Sequence, residues 1–101
     1  MNMGNIQAMM KQAQKMQKDM MNEKNKIDET IYEGKSSLVS IKMKGNKELL
    51  EVNIDADELT REDIEMLQDM IVVAVNEANK KIDQDTEQKL GKYTQGMPGL
   101  F

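Results

Sequence analysis

The first 29 residues show two opposite faces of a single helix, and each face limits how the chain can fold. Apolar residues recur at helical spacing from about Asn5 to Glu29, and lysines occupy the other side. At about 100° per residue the two groups are centred roughly 180° apart. The apolar face consists of Met9, Ala13, Met16, Met20 and Ile27, and the lysine face of Lys11, Lys15, Lys18 and Lys26. One face requires a covering surface, and the other offers a row of positive charge.

The middle of the chain alternates between apolar and polar residues, as strands with one solvated face do. Residues 38–44 and 49–54 show this alternation, and Gly45 and Asn46 form the turn between them. A short extended segment at 30–34 precedes them, with residues 35–37 as its predicted turn. We predict a three-stranded antiparallel meander over residues 30–54. Its apolar face is formed by Val39, Ile41, Met43, Leu50, Val52 and Ile54.

A second helix is predicted over residues 60–90. Thr60 is the expected N-cap, Asp63 follows three residues later, and Gly91 follows the predicted end. One apolar stripe runs along this helix, but in residues 70–75 apolar side chains surround it on all sides. One sheet face cannot cover them all, so a second surface must bury Val72 or Val73.

The lengths of these elements predict self-association. A helix of about 25 residues is roughly 37 Å long, whereas a strand of six residues covers about 20 Å. Both helices should therefore overhang the sheet. An overhanging apolar stripe is stable only against another helix, from the same chain or from a second copy. A homodimer is the simplest prediction, because symmetric pairs are the commonest assemblies.

The composition argues against most enzymes. A length of 101 residues fits one domain, 1–101, and the chain has neither Cys nor His. This removes thiolate chemistry, the usual acid/base residue near neutral pH and most zinc sites. We therefore predict no enzyme, cofactor, metal site or small-molecule substrate. No segment approaches the roughly 20 apolar residues of a membrane span, and no apolar signal block opens the chain, so we predict a cytoplasmic protein without a membrane partner.

The charge is distributed unevenly along the chain. The net charge is −4, and residues 55–90 carry four basic and eleven acidic side chains. Residues 1–29, in contrast, carry five lysines and four acidic side chains. Salt screens charges beyond about 10 Å, so the first half can still present a local surface that binds anions.

Four blocks in order give the chain a resemblance to the YbaB/EbfC family. They are residues 10–17 (MKQAQKMQ), 45–55, 65–70 (EMLQDM) followed by 75–78 (VNEA), and 97–101 (MPGLF). The resemblance covers nearly the whole chain and implies an α+β fold with a long helix, three strands and a long helix. It also implies a tweezer-like homodimer whose paired helices project as arms. Family members often have several glycines between the first two strands, where this chain has residues 35–37 (KSS).

The resemblance implies a bacterial nucleoid-associated protein that binds double-stranded DNA, located in the cytoplasm at the nucleoid. It would alter DNA conformation and act in nucleoid organisation and gene regulation. The candidate DNA-binding residues are Lys11, Lys15 and Lys18, with Lys89 and Lys92 added if the second helix returns beside the first.

The side chains available restrict how DNA can be recognised. Arg61 is the only arginine, and the aromatic residues Tyr32, Tyr93 and Phe101 are far from the lysine row in the sequence. Base reading in the major groove and stacking on single strands are therefore not expected. Lysine contacts with the duplex backbone remain, and these have low sequence specificity.

Two other functions stay open. The Met-rich first helix would suit a protein-binding adaptor with an adaptable groove for a partner helix. Binding to an anionic membrane surface has less support, because folding needs the apolar face. We predict a flexible tail for residues 91–101, which Leu100 and Phe101 could hold in place.

Overall fold

The computed structural model describes residues 3–94, which form two long helices and a three-stranded sheet. The elements in chain order are α1 (Met3–Glu29), β1 (Ile31–Ser36), β2 (Val39–Lys44), β3 (Leu49–Ile54) and α2 (Arg61–Thr94). The predicted α+β fold is confirmed. The strands are antiparallel in the order β1-β2-β3, so β2 is the central strand.

The core lies between the central strand and α2. Val39, Ile41 and Met43 of β2 are at most 3% exposed, as their alternation predicts. Ala74, Ala78 and Ile82 of α2 are equally buried and form one cluster with them. The apolar cluster is small, and it spans only one helix and the strands beneath it.

Two glycines allow the helices to lie directly on the sheet backbone. A Cβ atom at Gly34 of β1 would lie 1.8 Å from the carbonyl oxygen of Ala74 in α2. A Cβ atom at Gly45, after β2, would lie 1.8 Å from the carbonyl oxygen of Ile27 in α1. No side chain larger than hydrogen fits at that separation, so both positions require glycine for close approach.

The first hairpin differs from its prediction. β1 continues through Lys35 and Ser36, and Ser36 pairs with Val39, so only Ser37 and Leu38 form the turn. Ser37 has a φ of 49°, in the left-handed region that glycine usually occupies. The polar residues after Gly34 were expected to form the turn, but strand pairing extends through two of them.

The third strand is less buried than predicted. Val52 pairs with Ile41 and Ile54 with Val39, so they share the apolar face of the sheet. However, α2 packs on β1 and β2, and within residues 3–94 Ile54 is the only β3 residue that packs against the core cluster. Val52 is therefore still 42% exposed. A helix about 10 Å wide covers about two strands spaced 4.8 Å apart, so the inward burial expected for β3 is wrong for the single chain.

The start of α2 agrees with its prediction, whereas its end does not. The Thr60 N–H donates a hydrogen bond of 2.9 Å to Asp63 Oδ2, which confirms the N-terminal cap. α2 then continues through Gly91 to Thr94, beyond the predicted end at residue 90. Leu90 is buried and lines a cavity together with Ile27, so packing against α1 favours helix beyond this point. The remainder of the predicted tail, residues 95–101, lies outside the described residues.

Candidate nucleic-acid interface

The N-terminal half of α1 projects away from the rest of the molecule. The C-terminal end of α1 packs beside α2, where Ile27, Ile82 and Leu90 line one cavity. The molecule measures 75 Å in its longest dimension, and the 34 residues of α2 account for about 51 Å of this. The additional length fits an α1 that runs antiparallel to α2 and extends past its end. Every residue from 4 to 18 is exposed, and we call residues 4–18 the arm.

The arm carries positive charge without compensation. It contains Lys11, Lys15 and Lys18 and no acidic residue. None of these three ammonium groups has an ion-pair partner within residues 3–94. At 100° per residue the three lysines fall within about 60° on one side of the helix. The structure therefore keeps these predicted site residues together on one exposed face.

Lysines in the rest of the molecule, which we call the body (residues 19–94), are mostly paired. Seven of them lie within 4.0 Å of a carboxylate oxygen, at distances from 2.9 to 3.8 Å. They are Lys24, Lys26, Lys42, Lys44, Lys47, Lys81 and Lys89. The positive charge of the body is thus largely neutralised by its own acidic side chains.

Lys89 and Lys92 do not join the row on the arm. α2 does return beside α1, but Lys89 Nζ lies 3.1 Å from Asp85 Oδ2. Lys92 Nζ lies 5.0 Å from the centroid of the Tyr93 ring. Both lysines flank Leu90, which lines a cavity with Ile27 near the C-terminal end of α1. Lys11, in contrast, is about 24 Å along α1 from Ile27. The five candidate lysines therefore form a row of three and a separate pair.

A hydrogen bond that the sequence did not predict fixes α2 over β1. The Tyr32 hydroxyl donates to Asp85 Oδ2 at 2.5 Å, across 53 residues of sequence. Burial and this hydrogen bond raise the pKa of Tyr32 to about 12. The same bond, with help from Lys89, lowers the pKa of the Asp85 carboxyl. Asp85 is thus held ionised between a phenol and an ammonium group, and this network links β1 to α2.

An apolar surface remains uncovered on the body. Val72 and Val73, one of which was predicted to need a second surface, are 57% and 52% exposed. Met66, on the same side of α2 as Val73, is also exposed, as is Val52 on β3. An uncovered surface of this kind on a small domain is typical of an interface with another chain.

The described residues offer no obvious site for a metal ion. Within residues 3–94 no group of three His, Cys, Asp or Glu side chains has the arrangement of a metal site. None of the helices in that range is long and apolar enough to cross a membrane.

Comparison with known proteins identifies the family. The YbaB/EbfC DNA-binding family matches residues 3–97. A nucleoid-associated protein of Enterococcus faecalis is 44% identical over 97% of this chain and 96% of its own length. A nucleoid-associated protein of Lactococcus lactis subsp. cremoris is 48% identical over 95% of this chain and 99% of its own.

The fold also agrees with a solved structure. The crystal structure of an uncharacterized protein from Helicobacter pylori superimposes with a TM-score of 0.67 at 26% sequence identity. The match covers 95% of this chain and 99% of that one. The resemblance seen in the sequence is thus confirmed by an independent match over nearly the full length, and the chain belongs to the YbaB/EbfC DNA-binding family.

Proposed function

We propose that this protein is a nucleoid-associated protein whose arm binds the backbone of double-stranded DNA with low sequence specificity. The observation that carries this proposal is the contrast in pairing between the lysines. Lys11, Lys15 and Lys18 are exposed and unpaired on a segment without acidic residues, whereas seven body lysines have carboxylate partners within residues 3–94. Each unpaired lysine can neutralise a DNA phosphate and release a counterion condensed on the DNA, which drives sequence-independent binding.

The geometry allows an acidic protein to bind a polyanion. The net charge is −4, but the excess of acidic residues lies in residues 55–90, mostly remote from the arm. Salt screens that charge beyond about 8 Å at physiological ionic strength. The first turn of α1 has no acidic residue, so the positive end of its helix dipole adds to the field of the lysines.

We further propose that two copies act together as a homodimer. A second chain would cover Val72, Val73 and Val52, which the single chain leaves exposed. Two arms would then present six unpaired lysines to one duplex. Contacts at two separated points constrain the path of the duplex, which is how the dimer would alter DNA conformation, organise the nucleoid and influence gene expression.

The proposal is tested with two variants of equal charge. One replaces Lys11, Lys15 and Lys18 by glutamine, and the matched control replaces Lys42, Lys47 and Lys81, which have carboxylate partners. In a mobility-shift titration of random duplex DNA at low salt, we expect the arm variant to lose about 100-fold or more in affinity. The control should lose less than about threefold, because its lysines lie outside the proposed contact.

Two results would contradict this proposal. Equal losses in both variants would show that only net charge matters and that the arm has no special role. Absence of any shift by the wild-type protein at low salt would exclude DNA binding itself. Sedimentation of the same samples tests the dimer separately, and a stable monomer at micromolar concentration would contradict it.

A protein-binding adaptor is the second candidate, favoured by the exposed methionines of the arm. Met9 and Met10 are 61% and 58% exposed, and methionine adapts to varied apolar partners. Binding of this kind would tolerate high salt, because apolar contacts do not depend on counterion release. The salt dependence of partner binding therefore separates the two functions.

A further inference from the structure

The apolar stripe of α1 is buried near the C-terminal end of the helix and uncovered in the arm. In the arm it consists mainly of methionines, and we call it the methionine face. Ile27, at the base of α1, is 2% exposed and packs beside α2. Met16 and Met9 lie on the same side of the helix at 100° per residue, yet they are 40% and 61% exposed. The covering of this stripe therefore ends where α2 ends, although the stripe itself continues.

The position of Thr94 determines what can reach this stripe. α2 runs antiparallel to α1. On α2 the shared cavity is lined from Ile82 to Leu90, and Thr94 lies four residues, about 6 Å, beyond Leu90. On α1 the cavity is lined from Lys24 to Asp28, and the same distance beyond Lys24 ends at Met20. The last described residue of α2 therefore lies about one helical turn short of Met16, the first exposed methionine of the stripe.

The seven residues that follow have a suitable length and composition. An extended chain spans about 3.3 Å per residue, so residues 95–101 reach at most about 23 Å from Thr94. Met9 is about 17 Å beyond Met20 along the helix, which is within this reach. The segment has no charged residue, and it contains Met97, Leu100 and Phe101. Pro98 and two glycines do not favour continuing α2 along the same line.

We propose that residues 95–101 pack against the methionine face of the arm in the same chain, with Leu100 and Phe101 over Met9 and Met16. Aromatic rings and thioethers attract each other, and both groups leave water on contact. Packing on this side leaves Lys11, Lys15 and Lys18 free on the opposite side. The segment would stiffen the arm, and this inference holds whether or not the arm binds DNA.

Because the chain has no cysteine, any disulfide must form between cysteines that are introduced for a crosslinking test. A variant with Met9→Cys and Leu100→Cys is compared with a control with Gln7→Cys and Leu100→Cys, because Gln7 lies about 160° around the helix from Met9. Under mild oxidation at low protein concentration, we expect the Met9 pair to form an intrachain disulfide about tenfold faster than the control. Non-reducing electrophoresis with thiol counting distinguishes an intrachain bond from an interchain bond.

Three outcomes of this test would overturn the proposal. Equal rates for the two pairs would mean that the segment has no preferred face. Mainly interchain disulfides would assign the methionine face to a second copy. Failure of both pairs to form a disulfide would mean that the segment does not approach the arm.

A second measurement avoids new cysteines. Hydrogen exchange is compared between the wild-type protein and a variant with Leu100→Ser and Phe101→Ser. We expect amides in the arm to exchange about fivefold faster in the variant, with no change in β2, because only the arm loses its covering. Unchanged exchange in the arm would contradict the proposal even if the cysteine variants fail to fold.

Discussion

The body and the arm of this protein differ in how far their side chains are buried and in how their lysines are paired. In the body, Val39, Ile41 and Ala74 are buried almost completely, and most lysines there have carboxylate partners. In the arm every residue is exposed, and Lys11, Lys15 and Lys18 have no ion-pair partner within the described part of the chain. Burial stabilises a fold, and exposed ion pairs neutralise charge but add little stability, whereas unpaired charge on a projecting helix is available to a ligand.

The contrast assigns separate consequences to substitutions in the two regions. Changes in the body should alter the free energy of unfolding, and changes to the arm lysines should alter binding while the fold persists. Because the proposed self-association would contribute to stability, all unfolding measurements below are compared at one protein concentration.

The largest effect on stability is expected at Gly34, where the backbones of β1 and α2 lie directly against each other. Replacing Gly34 by alanine places a Cβ atom 1.8 Å from the carbonyl oxygen of Ala74, and neither backbone can yield without shifting α2. We expect the free energy of unfolding to fall by about 3 kcal/mol. Urea denaturation followed by circular dichroism measures this change. Surface substitutions usually change the free energy of unfolding by less than about 0.5 kcal/mol. A loss this small would show that α2 does not pack closely on β1.

The next effect is expected where α2 crosses β1. Tyr32→Phe removes the hydrogen bond that the phenol donates to Asp85, which should cost about 1–2 kcal/mol at pH 7. The pKa of Asp85 is lowered in the folded protein, mainly by this bond, so its stabilisation is complete above the unfolded pKa near 3.8. The stabilisation is lost as the pH falls through the lower folded value.

The pH dependence provides the control for that prediction. The difference in stability between wild type and Tyr32→Phe should be constant from neutral pH down to about 5 and should shrink below about 4. Thermal unfolding across this range measures the difference. A difference that grows with acidity would contradict the role given to Asp85.

A smaller effect with the opposite sign is expected at Gly91. A Cβ atom there would meet nothing within 4 Å, and the residue lies inside α2. Gly91→Ala should therefore raise the free energy of unfolding by about 0.8 kcal/mol, because alanine favours helix over glycine. It is the matched control for Gly34→Ala, since the same change is made where space is open. Destabilisation at Gly91 would mean that the end of α2 contacts something outside the single chain.

The smallest effect is expected when charge is removed from the arm. Replacing Lys11, Lys15 and Lys18 individually by glutamine should change the free energy of unfolding by less than about 0.5 kcal/mol, because these side chains are exposed and lack ion pairs within residues 3–94. Denaturant melts of each variant test this. A large change in stability would contradict the claim that substitutions of the arm lysines alter binding while the fold persists.

The sequence predicts the elements well because each depends on neighbouring residues. The period of two identifies Val39, Ile41 and Met43 as buried, and Thr60 with Asp63 marks the start of α2. Local signals fail where tertiary packing decides. α2 continues past Gly91, where packing against α1 favours helix, and β1 extends to Ser36, where pairing with β2 outweighs the turn signals.

The same reason limits what the sequence predicts about the site. Helical spacing alone places Lys11, Lys15 and Lys18 on one face, and the structure keeps them there. The pairing of Lys89 with Asp85, and of Asp85 with Tyr32, depends on how α2 crosses β1. No periodicity carries that information across 53 residues.

The salt dependence of DNA binding tests the central claim most directly. If a dimer places its six unpaired arm lysines on phosphates, the logarithm of the association constant should fall with the logarithm of salt concentration at a slope of about −5. The variant lacking Lys11, Lys15 and Lys18 should show a slope near zero, while the variant lacking Lys42, Lys47 and Lys81 should retain about −5. An arm variant with the wild-type slope would contradict the account, because the phosphate contacts would then lie elsewhere on the protein.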